Sequence, residues 1–331
     1  MAETFGATLR RLRKRAGLSQ PALARRVFVN QSTISRLETG RLAPDARLAV
    51  RVDAVLDADG ALIALTRPAA GLLTPDDADR LDYIAAHARR LDLPAVESLG
   101  VVLGGLRRLE DTVGASMMIE PVRAQLALVA CLVQESRGGL RPHAVRVGAQ
   151  WAQFAGWLST ATGHYPKADR WFSRAYELAT EAVDRDMVAT ALSFKGHLAW
   201  LTGQVNATIG LSQAVQRQTG VYAGQLAYDA LQEARGHAVL GDKDVVDRKV
   251  DEANDLALLA VEQLPDAPPW HYYRHDAFWL LEEGRVYRYL GRPVRAAELL
   301  TAGLDTLPAE QQAAEWADSY RRDLASLVPV A

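Results

Sequence analysis

The chain holds a single cysteine, Cys131, among 331 residues. That excludes an internal disulfide framework and suits a reducing compartment. No apolar run approaches the length a bilayer requires, and the opening stretch MAETFGATLRRLRKRAG lacks the apolar core of a secretory signal. The expected location is therefore the cytoplasm. A phosphate-binding loop, a dinucleotide fingerprint and a nucleophile elbow are also missing, so neither an enzyme activity nor a cofactor is expected. His271 and His275 stand four apart in WHYYRHDAFW, a spacing that can put two metal ligands on one helix face. With no flanking cysteine and no glutamate at metalloprotease spacing, packing or hydrogen bonding is the preferred reading. Pro268 and Pro269 point to a helix entrance there, with the stretch serving as an aromatic wall. Cys131 lies on an apolar stripe in QLALVACLVQES and reads as core.

What is present is a globular composition, 49% hydrophobic and 24% charged, with an uneven distribution of charge. Residues 1–67 carry 12 Lys/Arg against 6 Asp/Glu, a net of +6, and the remainder, with 26 against 34, a net of −8. Only the N-terminal head is suited to approach a polyanion, although a basic helix can also be merely solvated.

Three short helices precede residue 40. In the first, Phe5, Leu9, Leu12 and Ala16 recur at helical spacing and Gly17 stops it; Arg10, Arg11, Lys14 and Arg15 lie off that stripe. The second opens on Ser19 as N-cap, with Leu18 and Leu23 placed as a hydrophobic staple and Pro21 in the first turn. Asn30 can cap the third, which ends before Gly40. On a wheel of about 100° per residue, Thr33, Ile34 and Leu37 group on one side. Gln31, Ser32, Ser35 and Arg36 fall opposite. Gln can pair bidentately with adenine and Arg with guanine, while Ser adapts to either. Any surface helix has a polar outer face. A basic helix, a capped helix, a four-residue turn and then this helix form the order that rests one helix on phosphates, through Arg11 and Lys14, and pushes another into the major groove.

The stretches LRRLRKRAGLSQPALARRV, STISRLETG and APDARLAVRVDAVLDA, within residues 5–58, resemble the xenobiotic-response-element (XRE) helix-turn-helix family that includes the lambdoid phage repressors. The resemblance implies a five-helix lambda-repressor-like domain over residues 1–66. It implies that Gln31, Ser32 and Arg36 face base edges, that Gln20 holds a phosphate, and that Arg13 and Glu38 form a structural ion pair. Ser35 joins the contacts from the wheel alone. Phe28 stands where the family usually has glycine, and a bulky residue at positive φ would reshape the turn. Pro44 and Asp45 open a fourth helix bearing Leu48, Val52, Val55 and Leu56, and a short fifth helix spans about Gly60–Leu65. Prolines and a glycine mark residues 67–75 as a linker.

Residues 76–331 read as all-α, with an internal repeat. Gly163, Gly203, Gly241 and Gly291 each follow an apolar-periodic helix, at intervals of 40, 38 and 50 residues. Seven before them stand Gly156, Gly196, Ala234 and Gly284; five after, Ala168, Thr208, Val246 and Ala296; twelve after, Ala175, Val215, Ala253 and Gly303. Small residues at fixed offsets let antiparallel helices cross closely and stack. This lattice resembles the tetratricopeptide repeat, with the aligned glycine between paired helices of an α-solenoid. Residues 76–140 look like further pairs too degenerate to align, and residues 309–326 like a terminal capping helix.

By that resemblance, positions thirteen, ten, six and three before each glycine line a concave surface. Gln153, Trp157, Ser193, His197, Trp200, Tyr228, Arg235, Phe278, Arg285 and Arg288 are the candidate ligand contacts. Aromatics beside three arginines suit a ligand with an apolar body and an anionic end, a peptide carboxylate or a small molecule; the alternative is packing and solvated rim. The arrangement is similar to peptide-sensing regulators that join this head to tetratricopeptide repeats, but those commonly hold peptide backbones with asparagines, and none occurs at these positions. A DNA-binding transcriptional regulator, dimeric on an inverted-repeat operator, is therefore the expected function. An adaptor whose repeats bind protein and whose head is vestigial is the alternative.

Overall fold

The computed structural model describes residues 4–27, 29–42, 46–56, 58, 60–66 and 92–327. Phe28, Pro44, Asp45, the expected linker 67–75 and residues 76–91 lie outside them. All described elements are helical, and the chain divides into two compact units, residues 1–72 and 73–331.

Unit one contains α1 (Phe5–Arg15), α2 (Gln20–Arg26), α3 (Gln31–Glu38), α4 (Ala46–Leu56) and α5 (Ala61–Thr66). Local chemistry sets the boundaries. The Thr4 hydroxyl accepts from the Ala7 amide and the Ser19 hydroxyl from the Ala22 amide at 3.2 Å, each supplying a helix start with an acceptor for an orphan N–H. Asn30 occupies the N-cap position of α3 but makes no side-chain cap bond there. Phe5, Leu9, Leu12, Leu23, Ile34, Leu37, Leu48, Val52, Leu56 and Leu62 form one core. Gly6 marks the closest approach of α1 and α3: a Cβ there would lie 2.5 Å from the Leu37 carbonyl oxygen and 2.9 Å from that of Glu38. Buried Asp53 on α4 accepts the amides of Gly60 and Leu62, both at 2.8 Å, and so docks the start of α5.

The described part of unit two opens with α6 (Leu93–Val113) and α7 (Ala115–Glu135). The pairs α8 (Arg141–Ala161) with α9 (Tyr165–Glu181), α10 (Arg185–Leu201) with α11 (Val205–Gln216), α12 (Ala223–Leu240) with α13 (Lys243–Glu262), and α14 (Asp276–Tyr289) with α15 (Pro293–Asp305) follow, and α16 (Glu315–Ala325) ends the array. Each helix packs chiefly on its sequence neighbours, as in a tetratricopeptide-like stack. Gly163, Gly203, Gly241 and Gly291 close the first helix of each pair with φ of 75°, 76°, 83° and 76°, a left-handed geometry that glycine takes at no steric cost. Ala168, Thr208, Val246 and Ala296 are completely buried across the helix crossings. Gly284 has its partner so close that an added Cβ would meet Leu300 Cγ at 2.9 Å.

Three sequence expectations need correction. Cys131 is exposed, because α7 turns Met118, Val122, Val129, Leu132 and Val133 inward and leaves residue 131 off that stripe. The same helix, Ala115–Glu135, is long and apolar enough by length and composition to cross a membrane, its most apolar 18-residue stretch having a mean hydropathy of 1.5. The expected entrance at Pro268–Pro269 is instead a segment of two 3-10 turns, Leu264–Asp266 and Pro269–His271, and α14 starts only at Asp276. That segment lies within the 50-residue interval of the repeat.

The last helix does more than cover the end of the stack. Glu315 Oε2 accepts the Ala115 amide at 3.0 Å, and Trp316 Nε1 donates to Asp111 Oδ1 at 3.2 Å. The Tyr272 hydroxyl donates to Asp111 Oδ2 at 2.7 Å. The end of the array and the 264–275 segment thus return to α6 and α7, and a half-open space lies between them.

Candidate nucleic-acid interface and ligand cavity

In unit one, α3 hides Ile34 and Leu37, at 0% and 1% exposure, and leaves Gln31, Ser32 and Arg36 exposed and Ser35 half-buried. Arg11 and Lys14 are exposed on α1. Arg13 is the one buried arginine among the described residues of this unit, and it forms a two-pronged pair with Glu38, Nε to Oε1 at 2.5 Å and Nη2 to Oε2 at 2.9 Å. Burial alone would raise the Glu38 carboxyl, but hydrogen bonds from Arg13 and Gln20 hold it below its ordinary value. The Arg13 fork also reaches the Leu18 carbonyl at 2.8 Å, so one side chain ties α1 to the α2 entrance and to α3.

Gln20 is half-buried, and its amide is engaged within the domain. Its Nε2 donates to Glu38 Oε2 at 2.9 Å, and its Oε1 accepts from Gln31 Nε2 at 3.2 Å. A chain Arg13–Glu38–Gln20–Gln31 therefore runs from the core to the exposed ridge and orients its first side chain.

Unit two contains a half-open cavity of about 540 Å³. Of the sequence candidates, Gln153, Trp157, His197, Trp200, Tyr228, Phe278 and Arg285 line it; Ser193, Arg235 and Arg288 do not. Arg235 is fully buried behind the wall, its guanidinium 4.4 Å over the Trp200 ring and 3.5 Å from Glu282. Arg288 turns to Asp323 at 3.4 Å and to the Ser326 hydroxyl at 2.9 Å. Ser193 is completely buried. Arg285 reaches the cavity but is saturated by Asp323 (2.7 Å) and Ser319 (2.6 Å) and stacked 3.8 Å from Tyr320. Glu282 on α14 and Ser319 and Asp323 on α16 are the partners that engage these arginines.

Sequence reasoning missed Arg107, Glu110, Asp111, Arg274 and Trp316, all of which line the cavity. Arg107, Glu110 and Asp111 lie in the segment too degenerate to align, and Arg274 lies in the inserted loop. The aromatic density of WHYYRHDAFW was the one signal pointing there: Trp270, Tyr272 and Tyr273 do form a wall. His271 is buried with its ring 5.2 Å from that of Tyr222, while His275 Nε2 is 2.7 Å from Gln311 Oε1, so the two imidazoles are engaged apart.

The electrostatics of the cavity are set by burial. Burial pushes the Glu110 carboxyl up to about 7, against a hydrogen bond from Trp157 and with the help of the Asp111 and Glu315 charges. Burial lowers the Arg107 guanidinium to about 10, which leaves it cationic at neutral pH. Burial, followed by the Arg235 and Arg285 charges, holds His197 at about 3, so it stays neutral.

Comparison with known proteins agrees with the first unit: residues 4–65 match the family of helix-turn-helix domains. The chain therefore carries an N-terminal DNA-binding module of the XRE-like type, followed by a helical body. Among solved structures, the chain is similar to that of Bacillus thuringiensis PlcR in complex with the peptide PapR7 and DNA, at 15% identity and a TM-score of 0.37, over 81% of this chain and 100% of that one. No curated protein sequence matches this chain.

Proposed function

We propose that the protein is a sequence-specific transcriptional regulator that reads an inverted-repeat operator as a homodimer, and whose body senses a ligand. The observation that carries the reading is the ridge on α3: Gln31, Ser32 and Arg36 are exposed directly over a buried Ile34–Leu37 seam, inside a helix-turn-helix domain. Gln31, Ser32, Ser35 and Arg36 contact base edges, and Arg11 and Lys14 rest on phosphates. Gln20 acts at the phosphate boundary while its amide holds Gln31 in place. Arg13 and Glu38 keep the frame.

One such head makes few contacts, which favours a two-fold dimer with half-sites about one helical turn, or a multiple, apart. The half-open cavity, lined by aromatics and a few charged groups, supports ligand sensing by the body; its volume lies in the range of small-molecule sites. The protein acts by binding, not by catalysis. Competition binding with Arg36→Ala tests the reading: a loss of about 1–3 kcal/mol at one base position is expected, with discrimination elsewhere kept. Unchanged operator preference removes Arg36 from the readout. Salt-sensitive, sequence-blind retention by the unaltered protein supports the adaptor instead.

A further inference from the structure

Two guanidiniums on the cavity wall differ from the other buried arginines among the described residues of the body. Arg107 is 5% exposed and donates only to the Gln150 carbonyl at 3.3 Å and to Gln153 Oε1 at 3.2 Å, with the Phe154 and Trp270 rings each 5.8 Å away. Arg274 is 6% exposed, donates to the Gly224 carbonyl at 3.1 Å, stacks 4.7 Å from Tyr228, and leaves its Nε without a partner. Among the described residues, neither has a carboxylate within ion-pair distance. Arg235 and Arg285, by contrast, both face Glu282, and Arg285 also holds Asp323.

The acids nearby are poor counter-charges. Asp229 feels Arg274, but burial pushes its carboxyl up to about 7 and its Oδ2 takes the Gln225 amide at 2.6 Å. Glu110 is similarly raised, Asp111 is occupied by Tyr272 and Trp316, and Glu315 caps α7. The two cations belong to one neighbourhood: after burial itself, the Arg274 and Arg107 charges are what hold His271 far below its ordinary value. A buried charge without an opposite charge is costly to fold, so it marks a place where something else supplies the partner.

We propose that Arg107 and Arg274 form the anion-binding wall of a site for a small organic acid with a flat aromatic body. The acid group accepts guanidinium N–H donors, and the body lies against rings lining the same cavity, Trp157, Tyr228 and Phe278. An extended peptide fits less well. Its backbone needs amide partners, and among the described residues Gln153 is the only side-chain amide on the wall and is already bound to Arg107. The inference rests on the ligand-sensing role proposed for the body and narrows it to a chemical class and a place.

The test is calorimetric titration of the full chain, without DNA, with naphthaleneacetate, its neutral amide and the corresponding naphthaleneethylamine. The acid should bind about tenfold or more tightly than the amide, and the amine weakest of all. Arg107→Met and Arg274→Met should each reduce the acid to the affinity of the amide, with a ligand-free melting temperature equal to or above that of the unaltered protein. Equal binding of acid and amide overturns the anion assignment and leaves ligand sensing intact. Absence of acid binding, or a lower ligand-free melting temperature in both variants, also overturns it, the latter by making the arginines structural. Operator binding, measured separately, is not touched by any of these results.

Discussion

The two units of the chain use arginine in opposite ways. In unit one, Arg10, Arg11, Arg15, Arg25, Arg26, Arg36 and Arg41 are exposed, and among the described side chains only Arg13 is a buried arginine, locked to Glu38. In unit two, Arg107, Arg235, Arg274 and Arg285 are all buried, most of them over aromatic rings. An exposed guanidinium in water costs little to fold and remains ready for a polyanion. A buried one must be repaid by a carboxylate, a ring or a ligand. Position relative to the core therefore decides whether the same residue type serves a surface interaction, holds the frame, or lines a binding site.

The comparison breaks most sharply at Glu38. Glu38→Ala leaves Arg13 buried without its partner and frees Gln20, so unit one should lose about 3 kcal/mol. Urea unfolding followed on the full chain should show one transition shifted to lower urea; an unshifted transition would place the pair at the level of an ordinary surface contact.

Glu110 sharpens the same contrast from the acidic side. Its folded value of about 7 stands above its ordinary value, so the folded state holds the proton more tightly than the unfolded chain. The corresponding stability is complete below about pH 4.5 and is lost as pH rises through about 7. Glu110→Gln should remove that slope, a difference of about 3 kcal/mol between pH 4.5 and 8. Matched unfolding midpoints across this range decide it, and parallel curves would show that the carboxyl is not desolvated.

The smallest effect concerns backbone, not charge. Val183 sits at φ 52°, in the left-handed region, just past the end of α9, and is 78% exposed. A β-branched residue is strained there, whereas the four turn glycines are not. Val183→Gly should raise stability by about 1 kcal/mol. A fall in melting temperature would show that the chain-entropy cost of glycine exceeds the strain relieved.

Much of the architecture was legible because its determinants are local. Gly17, Ser19, Pro21 and Gly40 bounded the first three helices through caps and steric permission, and the Ile34–Leu37 seam located the exposed ridge. The repeat offsets found the small residues at helix crossings, because close packing requires them at a constant register. Cys131 was misread because a helix as apolar as α7 does not declare which of its faces turns inward. Arg235 and Arg288 were expected at the cavity, but Glu282 and Asp323, 47 and 35 residues away in sequence, stand within ion-pair distance of them.

The sequence by itself determined the succession of helices, their caps, the ridge on α3 and the stacking register of the repeats, since each depends on contacts within a few turns of helix. Only the tertiary structure decided which charges remain uncompensated. The return of α16 and of the 264–275 segment to α6 and α7 builds part of the cavity wall, and a charge there depends for its balance on groups that meet only when distant parts of the chain come together.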